Sequence, residues 1–159
     1  MNRFLPYLAI AIVIGAVAWR QFTGAADAGP SPSDDLPWFT DAPAALAQAK
    51  AENKTVVMDF TGSDWCPWCV KLDHEVFSAP EFADYSAKNL VLVKVDFPRR
   101  KQQTDAEKRQ NAALAQKYAI EGYPTVVVLN ASGKEVGRLG YMPGGAKAWL
   151  AELERITKS

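Results

Sequence analysis

Cys66 and Cys69 are the only cysteines in the 159-residue chain, and just Pro67 and Trp68 separate them. A pair at this spacing can do what a single thiol cannot. One thiolate attacks a disulfide, and the second resolves the mixed disulfide and leaves an intramolecular bond. The thiolate is the reactive species, and a free cysteine is mostly thiol at neutral pH. Residues 55–60 (Thr-Val-Val-Met-Asp-Phe) before the pair read as a buried strand, and residues 70–77 after it read as a helix. Cys66 then stands at a helix start, where unpaired N–H groups and the positive end of the dipole favour a negative sulfur. Cys69 lies one turn further on the same face. Pro67 suits a first helical turn, where no N–H is needed. Two other uses of such a pair have less support. A static disulfide closing so small a loop removes little unfolded-chain entropy. A zinc site needs two further ligands, and there is no second cysteine pair. The strand-to-helix setting points to redox chemistry.

Other side chains near the motif carry weaker signals. Trp65 and Trp68 flank Cys66 and offer apolar surface beside the sulfur. Trp65 reads equally as half-buried packing, and Trp68 is expected to be exposed and to serve as a docking surface. Asp59 is a carboxylate inside an apolar strand, and burial without a partner would raise its pKa. It reads either as a strand-end aspartate bonded to a neighbouring amide or as a proton-transfer group. His74, the single histidine, lies two helical turns beyond Cys66 and reads as a surface residue, too far for direct proton transfer. Residues 98–101 (Pro-Arg-Arg-Lys) read as a solvated basic turn rather than a docking site for lipid or a partner.

The elements that must position these groups follow in order. Asp41 can cap a helix through Ala44, Leu46, Ala49 and Lys50, with Pro43 in its first turn. Ser78-Ala79-Pro80-Glu81 has the form of a capping box opening a helix over 80–87, and Thr104-Asp105-Ala106-Glu107 opens another to about Tyr118. Residues 90–95 form a continuous β-rich run, as a strand covered on both faces does, and 125–129 form another. Ala131-Ser132-Gly133-Lys134 is a turn from which 135–139 pairs back as a hairpin. A last helix over 146–156 aligns Trp149, Leu150, Leu153 and Ile156 on one face. Strands alternating with helices predict parallel pairing with an antiparallel hairpin edge, in an α/β domain with helices on both faces of a mixed sheet.

The start of the chain differs in kind. Met1-Asn2-Arg3 gives a short positive start, and residues 4–19 are almost all apolar. At about 1.5 Å per residue the run makes a helix of about 24 Å, a little short of a ~30 Å bilayer core. Trp19 and Arg20 can extend it at the interface, while Ala26-Asp27-Ala28 resembles a small-residue cleavage site. Residues 1–23 are thus expected to be a signal peptide or a membrane anchor. Residues 24–37, rich in Gly, Pro and Ser, form a flexible linker, and the domain occupies 38–159. Both readings place the domain outside the cytoplasm. Eighteen basic and eighteen acidic residues leave no net charge, which gives no reason to expect nucleic acid as a partner.

Asp59-Phe60, Trp65-Cys66-Pro67-Trp68-Cys69, Tyr123-Pro124-Thr125 and Gly140 together resemble the thioredoxin-like superfamily, over about residues 38–156. Phe77-Ser78-Ala79-Pro80 and Gly140-Tyr141-Met142 resemble an exported subgroup, the C-terminal periplasmic domain of the bacterial thiol:disulfide interchange reductase. Three features depart from ordinary thioredoxin. The middle pair is Pro-Trp, residues 61–64 lengthen the approach to the motif by one, and a hydrophobic segment precedes the domain. The resemblance implies a thioredoxin fold and Cys66 and Cys69 as the catalytic pair. It implies Asp59 as proton acceptor for Cys69 through water, and Lys94 as its partner. Lys94 also reads as a lysine snorkelling from a strand end. It further implies a cis bond before Pro124, with Tyr123 and Pro124 facing the substrate.

These readings converge on an exported thiol–disulfide oxidoreductase acting on protein disulfides, reducing or shuttling them, with no bound cofactor or metal and a membrane electron donor as partner. The rivals are a disulfide isomerase or oxidant, and a non-catalytic metal- or partner-binding module. The glutaredoxin-like Pro67-Trp68 pair also keeps a glutathione or iron–sulfur role open.

Overall fold

Three chain segments meet at one end of a five-stranded sheet in the computed structural model, which describes residues 32–158. Residues 1–31, with the expected signal or anchor and most of the expected linker, lie outside the described residues. The strands are β1 (Trp38–Phe39), β2 (Thr55–Thr61), β3 (Leu90–Asp96), β4 (Thr125–Leu129) and β5 (Glu135–Leu139), in spatial order β1-β3-β2-β4-β5. The helices are α1 (Ala42–Glu52), α2 (Pro67–Leu72), α3 (Pro80–Asn89), α4 (Asp105–Lys117) and α5 (Gly145–Thr157). A single π turn, Asp73–Phe77, continues α2.

Local sequence chemistry sets most boundaries. The Asp41 carboxylate accepts the Ala44 N–H at 3.0 Å and caps α1. Thr104 and Glu107 form the reciprocal capping box of α4. The box expected at Ser78 does not form. The π turn runs on through Phe77, and the Ser78 N–H returns to the Asp73 carbonyl at 2.8 Å, five residues back. Ser78 therefore ends one helical run, and Ala79 rather than Ser78 is the N-cap of α3, with Pro80 in its first turn. Residues 32–35, within the expected linker, form a 3-10 turn, and Ser33 is fully buried.

β2 runs parallel to β3, as the alternation of strand and helix predicts, and the two-residue β1, not expected from the sequence, is also parallel to β3. Antiparallel pairing begins one strand earlier than the hairpin alone requires: β4 is antiparallel to β2 as well as to β5. Thr61 lies opposite Asp96, and Phe60 opposite Thr125. The ends of β2 and β3 and the start of β4 therefore lie together at one end of the sheet.

Side chains alternate between faces along a strand, which separates two cores. Val57, Leu90, Leu92, Val126 and Val128 pack with Leu72, Val76, Phe77, Phe82, Trp149 and Leu153 on the α2–α3–α5 side. Val56, Met58, Phe60, Val91, Val93, Val95 and Val127 pack with Ala42, Ala45, Ala49 and Tyr118 on the α1–α4 side. Trp149 is fully buried, with its ring 5.7 Å from Phe77 and 5.8 Å from Phe82. Truncating a core aromatic of this kind costs about 3–5 kcal/mol. This packing holds the cysteine-bearing helix against the sheet.

Candidate active site

Cys66 occupies the N-cap of α2 in an extended backbone conformation, and its sulfur accepts the Cys69 N–H at 3.3 Å. The two sulfurs are bonded across a Cα–Cα distance of 5.3 Å. Both cysteines are buried, and Cys69 sits inside the helix while Cys66 sits at its mouth. Extended backbone at Cys66 and helical backbone from Pro67 onward are what an N-cap followed by proline dictates. The helix start thus offers N–H donors to a sulfur at position 66.

Trp65 and Trp68 have different settings. Trp65 is half-buried, and its Nε1–H donates to the Phe97 carbonyl at 2.7 Å. Gly62 lies flat beneath that indole, where a Cβ would meet Trp65 Cε2 at 2.5 Å. Trp65 also meets Tyr123 edge-on at 5.8 Å. Trp68 is 56% exposed and tilted against Tyr141 at 5.2 Å. The Lys71 ammonium lies over both rings, and the Tyr141 hydroxyl donates to Glu75 at 2.8 Å.

The Tyr123–Pro124 peptide is cis and directly precedes β4. Residues at this loop and behind it, among them Gly122, Thr125, Gly140 and Met142, line a shallow open groove. Gly140 approaches closely enough that a Cβ there would lie 3.4 Å from the Pro124 carbonyl oxygen, and its own carbonyl accepts the Trp149 indole N–H at 3.1 Å.

Asp59 shares its sheet face with Val57, which packs against Leu72 and Val76, so its carboxylate points to the side covered by the cysteine helix. It is buried, and Oδ1 has no hydrogen-bond partner among the described residues. Burial pushes this carboxyl up to about 7; the Lys94 ammonium pulls it down, and the negative charges of Asp73 and Asp96 push it up further. Lys94 is the register partner of Asp59, but its ion pairs run to Asp73 at 3.8 Å and Asp34 at 4.0 Å. Its ammonium also lies 4.9 Å from the centre of the Trp38 ring. Asp73 accepts the Ser33 hydroxyl at 2.5 Å. His74 is exposed.

The partners of Lys94, the Tyr141–Trp68 contact and the fastening of residues 99–101 are not legible in the sequence. Those side chains at 99–101 are exposed, as expected of a basic turn, but their backbone is not free. Asp64 accepts the N–H groups of Arg99, Arg100 and Lys101 at 2.9, 2.7 and 3.1 Å. An aspartate two residues before the cysteine, with no helix to cap, was the available signal.

A family model, the thioredoxin-like domain, matches residues 42–156. The chain belongs to the thioredoxin-like family. "Disulfide bond reductase DsbH" of Chlamydia pneumoniae is 33% identical over 129 residues, which cover 81% of this chain and 77% of that protein. "Thiol:disulfide interchange protein DsbD" of Cronobacter sakazakii is 34% identical over 107 residues, 65% of this chain but only 17% of that protein. A solved structure titled "DsbH Oxidoreductase" superposes with a TM-score of 0.74 at 33% identity, covering 77% of this chain and 85% of that one. This thioredoxin-like domain is homologous to thiol:disulfide oxidoreductases, and its bonded Cys66–Cys69 pair supports redox-active exchange.

Proposed function

We propose that this protein reduces or shuttles protein disulfides outside the cytoplasm, cycling Cys66 and Cys69 between dithiol and disulfide. The observation that carries the reading is the bonded pair at the start of α2, with Cys66 at the helix mouth and Cys69 inside. In the reducing direction, the Cys66 thiolate attacks one sulfur of a partner disulfide. A Cys66–partner bond forms, and one partner thiolate leaves. The Cys69 thiolate then attacks the Cys66 sulfur, the second partner thiolate leaves, and the Cys66–Cys69 bond closes. Two electrons pass to the partner, and an external dithiol must restore the pair.

Asp59 takes the Cys69 proton through water as the second step begins. Its raised pKa, about 7, suits a group that accepts and returns a proton near neutral pH. Lys94 holds the surrounding carboxylates by charge rather than touching sulfur. Tyr123 and Pro124 present backbone to an extended partner segment, and Trp65 and Trp68 supply apolar contact on either side of Cys66. Residues 1–23 direct export, as a cleaved signal or a retained anchor, and a membrane protein supplies the electrons. The printed name of the DsbH relative, a disulfide bond reductase, supports the reducing direction, and that of the DsbD relative supports thiol–disulfide interchange.

The test is the reduction potential, measured by equilibrating the protein with glutathione and following tryptophan fluorescence. A value near about −270 mV fits a reductant, and one near about −120 to −180 mV would make the protein an oxidant or isomerase. Metal analysis of the reduced protein separates a metal-binding module, because the redox reading requires no bound ion.

A further inference from the structure

The two indoles that flank the reactive cysteine each carry a cation. The Arg99 guanidinium lies 4.1 Å from the centre of the Trp65 ring, and the Lys71 ammonium lies 5.4 Å from that of Trp68. The first of these is a built arrangement. One carboxylate, Asp64, fastens the loop by three backbone N–H groups, and the Arg100 guanidinium donates to the Asp64 carbonyl at 2.6 Å. Three successive cationic residues are thereby set beside residue 65, next to Cys66.

The charge balance at this rim is uneven, although the chain as a whole carries no net charge. The Asp64 carboxylate is engaged by those amides, which hold its carboxyl below the usual range. Asp96 accepts the Ser63 N–H at 2.9 Å and hydroxyl at 2.6 Å. Glu75 is shared between Lys71 at 3.8 Å and the Tyr141 hydroxyl. The side-chain charges of Arg99 and Lys101 have no ion-pair partner among the described residues, and both side chains are exposed. A loop kept only for its backbone path needs neither charge, and fastening a cationic loop costs more conformational entropy than leaving it free.

We propose that this rim selects protein disulfides whose cysteines are flanked by acidic residues. This deepens the thiol–disulfide reading above and rests on it. As the partner sulfur meets Cys66, carboxylates beside it reach Arg99, Arg100 and Lys101, while Trp65 and Trp68 take apolar neighbours. Exposed cations of this kind steer encounter and set partner choice, and salt screens them.

The test uses the full chain, reduced with dithiothreitol and freed of it, against disulfide-linked peptides that differ only beside the cysteine: Glu, Gln or Lys. The rate ratio of the Glu peptide to the Lys peptide is the readout. A ratio of about 5 is expected at low salt, collapsing towards one at ~0.5 M salt. Arg99→Gln with Lys101→Gln is expected to lower the ratio, and Arg99→Glu with Lys101→Glu to invert it, which a merely structural role would not do. Lys101→Gln alone, at an exposed side chain, supplies the readout if a double variant does not fold. A ratio near one at low salt, or one the variants leave unchanged, overturns the proposal. So does binding to phosphatidylserine vesicles through the same cations with a peptide ratio near one, which assigns the rim to lipid. If none of the peptides is reduced, including the Gln peptide, the redox reading itself has failed and the proposal goes with it.

Discussion

Asp59 and Lys94 stand opposite each other in register across β2 and β3, yet the Lys94 ammonium is paired with Asp73 and Asp34 instead of Asp59. A lysine one strand away thus acts on the buried carboxylate through its field, while its direct contacts gather the chain before β1 and the π turn after α2 around the same point. Ser33, bonded to Asp73, belongs to that gathering.

Asp59 should make stability depend on pH. Its folded pKa, about 7, lies above the unfolded value of 3.8. Between those values the folded state holds a proton that the unfolded state has lost, so stability falls as the pH rises through that window and levels off above it. Asp59→Asn is expected to flatten that slope and to raise stability at pH 8 by up to about 4 kcal/mol. Urea unfolding at pH 5 and pH 8 checks this. A variant no more stable than the parent at pH 8 would show that the carboxylate is not desolvated.

Asp73 bears on the same proton from the helix side. Its negative charge raises the pKa of Asp59, so Asp73→Asn should shift the pH midpoint of exchange with a neutral disulfide downwards. The pH–rate profile is the measurement, and the midpoint is separate from any loss of overall rate. An unmoved midpoint would mean that Lys94 already cancels the charge.

Gly62→Ala tests the seat of Trp65. The new Cβ would lie 2.5 Å from Trp65 Cε2 in a buried position. The indole must move, losing its bond to the Phe97 carbonyl and its place under Arg99. Overpacking of this sort costs about 1–3 kcal/mol. Denaturation and tryptophan emission should both change, and an unaltered midpoint and spectrum would show that the loop yields without cost.

The two cysteines should fail differently. Cys69→Ser is expected to accumulate a mixed disulfide on Cys66, since nothing resolves it, whereas Cys66→Ser captures no partner. Mass spectrometry of the protein mixed with a disulfide peptide reads both. Capture by Cys66→Ser and none by Cys69→Ser would exchange the two roles.

Much of the fold was legible because short-range rules governed it. The apolar run 125–129 and the returning hairpin strand 135–139 became β4 and β5 with those bounds, and Asp41 and Thr104 cap the helices their side chains suggest. The Ser78 box failed because the same four-residue pattern was in competition with a π turn that packs Val76 and Phe77 into the core. The motif around Cys66 was equally legible: Cys-Pro-Trp-Cys between a strand and a helix contains the N-cap and the first turn within itself.

Distances between segments far apart in sequence were not legible. The sequence by itself determined the cysteine pair, its helix-start setting, the apolar strands and the burial of a carboxylate at position 59. These depend on residue type and on periods of two and 3.6, which neighbours along the chain can express. Only the tertiary structure decided that β4 runs antiparallel to β2, bringing Pro124 to the end of the sheet that the cysteines follow, that Lys94 pairs with Asp73 and Asp34, and that Asp64 fastens residues 99–101 beside Trp65. Each joins segments tens of residues apart through a hydrogen bond or charge contact a few ångströms long. No local preference encodes such a contact; it exists once two cores, one on each face of the sheet, have fixed where the strand ends meet.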